Sequence, residues 1–361
     1  MTGAERLQMA LSHREGDRAP VDFWAKEDVF ERLLREFRLQ DKEAFLREHD
    51  IDFRYASGPG GVAERGNDAN DGTVRDHWGV VRKQVDVSRP GYRYAYRHLD
   101  RPPLAGFTTV KEIEEYEGWP CSDAWDYEGL RERFEACRPC AVVNAGDRLD
   151  RTAQLKTLMY LRGIEQAFVD LASNGRLVDS ILERVRGYYL SYNERVFQKA
   201  GDLVDLFMMG DDFGDQNGSL IGVGMWRRYF KKGFQEYVDL SHRYDIPVMH
   251  HTCGSVRELI PDMIDCGLDV LQSLQPKARG MNLSELKAEF GKDLCFHGGI
   301  DIQDVLPLGS PADVRDHARR VLASGKPGGG FIVCTAHAIQ PDVPTENVLA
   351  LLEAYREFSP Y

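Results

Sequence analysis

From Val204 to the C-terminus, short apolar runs alternate with longer amphipathic stretches. Val204 to Met209 reads as a strand and Met225 to Tyr244 as a helix. The pattern repeats with strands at 246–250, 268–271, 294–297 and 331–334. Helices at 255–266, 283–290, 312–324 and 345–358 follow them in turn. Strands that alternate with helices imply a parallel sheet with crossover connections.

The first half is less regular. A short helix over 4–13 leads to the strand candidate Ala19 to Trp24. Helices near 28–37 and 41–49 precede a second strand, Ile51 to Tyr55. Val74 to Val85 and Tyr92 to His98 are rich in β-branched and aromatic residues and flank Arg89-Pro-Gly91, so they predict a β-hairpin inserted near 74–98. Helices follow at 110–116 and 127–136, then the buried strand Cys140 to Ala145 and long helices at about 153–172 and 177–200. Strands near residues 20, 52 and 142 bring the count to eight, which fits one (β/α)8 TIM-type barrel over 1–361 with an N-terminal hairpin insertion. An open doubly wound sheet would carry Gly-x-Gly-x-x-Gly after its first strand, and that mark is missing.

Composition narrows the partners. A formal net charge of −12 over 361 residues argues against nucleic acid and anionic membranes, and leaves open a partner protein with a basic rim. No apolar run is long enough to span a bilayer. Without the layout of a signal peptide, the seven scattered cysteines read as thiols of a cytoplasmic protein. Oligomeric state is left open, a homodimer included.

Chemistry gathers just past the apolar runs, where a barrel places its active site. His251 and Cys253 lie two apart at a strand end, so both side chains can face one point with the ligands zinc prefers. A third ligand must come from elsewhere, and the strand ending at Cys334, with His337 beyond it, supplies a candidate. Asp211 and Asp212 follow another strand, where they suit a solvated turn or helix cap, or else a general acid or a partner that orients a metal-bound His. Asn144, Asp147, Arg148, Gln216, Gln272 and His297 occupy equivalent positions. Asn144, Arg148, Gln216 and Gln272 are expected to meet substrate, and Asp211, Asp212, His297 and His337 to do acid–base work. Three other motifs read as structural or incidental. Lys326-Pro-Gly-Gly-Gly330 precedes a strand and so is no phosphate cradle. Cys137-Arg-Pro-Cys140 does not open a helix. Trp78, Tyr92, Tyr94 and Tyr96 pack the hairpin or form a lid.

Several runs together resemble the uroporphyrinogen decarboxylase superfamily, in its branch of cobalamin-dependent methyltransferases. They are Gly16-Asp-Arg-Ala-Pro-Val-Asp-Phe23, Asp76-His-Trp-Gly79, Gly210-Asp-Asp-Phe-Gly-Asp-Gln216, His251-Thr-Cys-Gly254, Phe296-His-Gly-Gly-Ile-Asp301 and Gly328-Gly-Gly-Phe-Ile332, with the closing run from His337 to Asn347. The resemblance implies a (β/α)8 barrel. It further implies His251 and Cys253 as zinc ligands, with a late Cys as the third. Cys334 is expected in that role, and His337, nearer the family's spacing, as the alternative or an acid–base neighbour. True decarboxylases carry Arg-Gln-Ala-Gly-Arg where this chain has Val21-Asp-Phe-Trp-Ala-Lys26. The function implied is zinc-dependent transfer of a methyl group between a small O-, N- or S-methyl compound and a corrinoid. No Asp-x-His-x-x-Gly run is seen, so the cobalamin is expected on a partner corrinoid protein. Tetrapyrrole decarboxylation is the competing activity. Asp212, His251, Cys253, His297 and Cys334 are expected around one cavity.

Overall fold

The structure, a computed structural model, describes residues 1–56, 58–60, 67–68, 72–89, 92–145 and 152–361. Seven strands form one parallel sheet: β1 (Phe53–Ala56), β6 (Ala141–Asn144), β7 (Leu206–Gly210), β8 (Val248–His251), β9 (Val270–Leu274), β10 (Cys295–Ile300) and β11 (Phe331–Thr335), side by side in that order. The remaining strands, β2 (Asn67–Asp68), β3 (Thr73–Arg75), β4 (Val81–Arg89) and β5 (Tyr92–Arg101), make a separate antiparallel sheet. The insertion is therefore four-stranded rather than a bare hairpin. Its continuous strand candidate Val74 to Val85 is broken because Asp76 Oδ1 accepts the amides of Trp78 and Val80, each at 3.0 Å, and turns the chain. Trp78 anchors the insertion by packing edge-on to Tyr188, ring centroids 4.9 Å apart.

The eighth barrel position is filled by the segment around Val21, which bridges to Val333. Val333 N–H donates to Pro20 O at 3.0 Å and Asp22 N–H to Val333 O at 2.9 Å. On the other side Asp52 N–H donates to Val21 O at 2.9 Å, and Asp52 Oδ2 accepts Val21 N–H at 2.8 Å. Higher up, the segment leaves β1 and follows the chain beyond β11: Ile339 N–H donates to Trp24 O and Lys26 N–H to Ile339 O. The closing strand is thus bonded on both sides over only a few residues.

Side chains alternate along each strand, so every second residue enters the barrel. Phe53, Val143, Met208, Met249, Val270, Cys295 and Ile332 form an apolar lower layer. Leu7 and Ala10 of helix Gly3–Leu11 seal it from below. Outside, helix Gly175–Ala200 buries Leu177, Ile181, Val185, Tyr188, Tyr192 and Val196 at helical spacing. The long helix expected over 153–172 is divided at Gly163, whose φ of +89° ends Leu155–Arg162 and begins Ile164–Ser173. Among the described residues no helix is long and apolar enough to cross a membrane.

Asp52 is the tie that holds the closing segment. It is 3% exposed and also receives Arg6 Nη1 at 2.9 Å and Arg18 Nη1 at 2.6 Å. Asp52→Ala takes this acceptor from Arg6, Arg18 and the Val21 amide, leaving Arg6 to Asp17 and Arg18 to the Ala19 and Asp50 carbonyls. Its unfolding free energy in urea is expected to fall by about 3–5 kcal/mol, the usual cost of breaking a buried ion pair. A loss below about 1 kcal/mol would show that other contacts close the barrel.

Candidate metal centre and active site

The layer above the apolar plug is polar. His251, Gln272 and His297 are register partners on β8, β9 and β10. Each stands two residues beyond an inward apolar residue, Met249, Val270 and Cys295, so all three face the barrel axis. Cys334 likewise follows Ile332 on the inner face of β11.

His251 is held at both ring nitrogens and on its ring face and edge. Its Nδ1 lies 2.5 Å from Gln272 Oε1, so Nδ1 carries the proton and donates. That leaves Nε2 free of a proton and turned to Cys253 Sγ at 3.4 Å, with Asp212 Oδ1 at 3.6 Å. Trp24 stacks on the imidazole, centroids 5.8 Å apart, and His337 meets it edge-on at 5.7 Å. Cys253 lies past the end of β8, so strand alternation alone does not aim it. Thr252 N–H donates to Gln272 O at 2.6 Å, and Gly254 turns the chain at a φ of +80°, where an added Cβ would come 2.5 Å from the Gly214 backbone. One donor atom each from His251, Cys253 and His337 all lie within 4.8 Å of one another. Two imidazoles, one thiol and a protein-held outer hydrogen bond on His251 suit a zinc-type cation.

Cys334 does not join this group. It falls with Asp22 and His297 in a second, fully buried cluster whose donor atoms are also within 4.8 Å. The reason is register. Cys334 still lies within β11, opposite Gly299, while His337 comes after the strand, where the chain turns across the mouth. In the inner cluster His297 Nε2 is 2.8 Å from Asp22 Oδ2, and Tyr55 O–H donates to the same oxygen at 2.5 Å. Burial first, then the Asp22 charge, keep the Tyr55 phenol and the Cys334 thiol well above their ordinary range, so both hold their protons. The residues expected around one cavity therefore sit in two groups, with Trp24 beside both: it also lies 6.5 Å from His297.

The aspartate pair divides its work. Asp211 is buried and turned toward helix Leu155–Arg162, where its carboxylate accepts the amides of Gln154, Leu155 and Lys156 at 2.5–2.9 Å. Burial pushes its carboxyl up to about 6, against the pull of those amides. Asp212 turns to the His251–Cys253 group instead, accepting Lys156 Nζ at 2.6 Å and Cys253 N–H at 3.1 Å. Burial opposes its ionisation, yet the Lys156 ammonium beside it holds the carboxyl well below the usual range.

Of the residues expected to meet substrate, Gln272 is engaged in orienting His251. Asn144 is buried at the end of β6. Gln216 lies on an exposed turn, where its carbonyl accepts Arg279 N–H. Arg148 and Asp147 lie outside the described residues. The sequence reading passed over Asp22, Trp24, Tyr55 and Lys156. Asp22 and Trp24 had a signal, since two residues of one strand face share a side and an Asp inside an apolar run needs a partner. Lys156, in the first turn of a helix, had none.

Asp211→Ala removes the acceptor for three amides at once. Its thermal or urea unfolding is expected to show a loss of about 2–4 kcal/mol. A near-neutral result would mean that water caps this helix equally well.

The family profile described as "Uroporphyrinogen decarboxylase (URO-D)" matches residues 152–358. A methylated-thiol--coenzyme M methyltransferase of Methanosarcina mazei is 21% identical over 295 residues, covering 77% of this chain and 72% of the relative. A uroporphyrinogen decarboxylase of Methylococcus capsulatus is 26% identical over 161 residues, covering 44% of this chain and 43% of its own. That of Actinobacillus succinogenes is 35% identical over 79 residues, 22% of each chain. Among solved structures, a methyltransferase from Methanosarcina mazei superposes with a TM-score of 0.65 at 16% identity, over 99% of both chains, a likeness of fold. With more than half of its length matched by the profile, the chain belongs to the uroporphyrinogen decarboxylase (URO-D) family.

Proposed function

We propose that the protein is a zinc-dependent methyltransferase, moving a methyl group between a small O-, N- or S-methyl compound and a corrinoid carried on a partner protein. The observation that carries this reading is the convergence of His251, Cys253 and His337 at the barrel mouth. The similarity to a methylated-thiol--coenzyme M methyltransferase over most of both chains supports it. Methoxy aromatics and methylamine-like compounds are the first donors to test.

His251, Cys253 and His337 would hold the metal, with His337 in the place where Cys334 was expected. Zinc bound there supplies a Lewis acid for the substrate heteroatom. Gln272 keeps the His251 proton on Nδ1, so Nε2 offers its lone pair. Asp212, ionised and balanced by Lys156, fixes the Cys253 loop through the Cys253 amide. Asp22 and His297 tie the closing segment to β10 and so set the position of Trp24 against His251. A decarboxylase working on a polyanionic tetrapyrrole needs a surplus of cations. The cations found near the site are largely balanced, Lys156 by Asp212 and Arg54 by Glu43.

Purified protein is expected to hold about one zinc per chain, since three protein ligands and an open position describe a catalytic site. Cys253→Ala and His337→Ala should each lose the metal with circular dichroism unchanged, and Cys334→Ala should keep it. Full zinc occupancy in Cys253→Ala would remove the metal centre. Gln272→Leu should stay folded and bind zinc about 10–100-fold more weakly. The activity itself is read by mixing cob(I)alamin with candidate methyl donors and following cobalt methylation spectroscopically, beside an assay of uroporphyrinogen consumption. Decarboxylation that survives zinc removal, with no cobalt methylation from any donor, would reverse the assignment.

A further inference from the structure

We infer that the methyl compound sits in a cleft off the barrel axis, which opens where the closing segment parts from β1 and meets the barrel mouth at His337, and that the cleft selects an aromatic methyl donor with an anionic far end. The inference rests on the methyl-transfer reading for its chemistry and on the fold for its geometry.

The cleft opens where the closing segment parts from β1. Below, Val21 and Asp52 are hydrogen-bonded; above, Trp24 and Lys26 bond to Ile339 instead. A space of about 880 Å³ lies between the two paths. Its inner end is closed by Trp24 and Tyr55, whose rings meet edge-on at 5.3 Å, and by His337, the lining residue it shares with the His251–Cys253 group. Phe23, Phe53 and Leu46 give it apolar walls. Lys26, Glu27, Lys42, Glu43, Arg54 and Cys137 supply the rest of its polar lining. Arg54 is taken up there by Glu43 at 2.6 Å and by the carbonyls of Ile51 and Phe53. Lys42 sets its ammonium 4.5 Å above the Phe30 ring, where burial lowers its pKa against the pull of Glu27, and no carboxylate of the described residues pairs with it; over the lining as a whole Lys26, Lys42 and Arg54 face Glu27 and Glu43, an excess of one cation.

Displacement at a methyl carbon runs in line. The carbon–heteroatom bond breaks with its electron pair staying on the heteroatom, while the carbon takes a new pair from the opposite side. Donor body and acceptor must therefore occupy opposite sides of the methyl group, near the in-line geometry that catalysis requires. A corrinoid carried on a protein is too broad for a side cleft and needs the open barrel end. The donor body is then left with an off-axis space that begins at the metal ligands, and the cleft is such a space. Aromatic walls favour a flat apolar body, and a cation without an ion pair at the far end favours a carboxylate or sulfonate there.

Cys137 allows the cleft to be read without corrinoid or turnover. The test follows iodoacetamide alkylation of Cys137 by peptide mass spectrometry, with the exposed Cys121, outside the cleft, as internal control. The probes are 4-methoxybenzoate and anisole, which share ring and methoxy group and differ in the charge. Methoxybenzoate should slow alkylation at Cys137 and leave Cys121 unchanged, and anisole at equal concentration should protect more weakly. Lys42→Met should weaken protection by methoxybenzoate about two- to fivefold, as the loss of one exposed ion pair does, and leave that by anisole unaltered. Unchanged Cys137 alkylation with both probes, or equal protection in wild type and Lys42→Met, overturns the proposal. The same measurement on Cys253→Ala separates it from the metal reading. Protection that persists there supports the cleft whether or not zinc is found in the wild type.

Discussion

A parallel barrel has to close, and here closure depends on a few backbone bonds around Val21. On one side they reach β11, and on the other they reach Asp52, whose carboxylate also gathers Arg6 and Arg18. The consequences spread upward. Because the segment is pinned at Asp22, the next inward position belongs to Trp24, which lies flat on His251. Because it is pinned for so short a distance, its backbone parts from β1 above, where only the Tyr55 side chain still reaches Asp22 and Trp24. Closure, the wall beside His251 and the space next to β1 are one feature of the chain.

The polar layer follows from the same geometry. A barrel interior filled with apolar side chains needs no hydrogen bonds, whereas each polar group placed there needs a partner. His251 finds Gln272 on the neighbouring strand, and His297 finds Asp22 on the closing segment. Strand register makes both pairings, since the three residues of β8, β9 and β10 share one level. The two groups differ in access. The inner one is sealed by burial, while His337 and Cys253 lie past strand ends and are partly exposed.

Much of this was legible in the sequence where periodicity is strong. The strand–helix alternation after Val204 marks five of the seven sheet strands, the apolar runs near 52 and 142 mark the other two, and the run near 20 marks the closing segment. His251 and Cys253 were legible as a pair from their spacing, although a loop rather than a strand brings Cys253 round. The third member was not, because whether Cys334 or His337 reaches the pair depends on where β11 ends, and element ends are poorly encoded in local pattern. Asp211 and Asp212 could not be told apart for a related reason: adjacent residues look alike in composition and point in opposite directions. Lys156 and the cleft are products of tertiary placement and leave no local mark.

The central claim is that one sulfur and two imidazole nitrogens hold the metal. X-ray absorption at the zinc edge of the purified protein reads that ligand set directly, because sulfur and light-atom neighbours scatter at separable distances, about 2.3 Å and about 2.0–2.1 Å. The account predicts a single sulfur, with the remaining neighbours nitrogen or oxygen and an imidazole outer-shell pattern. Two sulfurs would return Cys334 to the metal and contradict the placement of His337 as the third ligand.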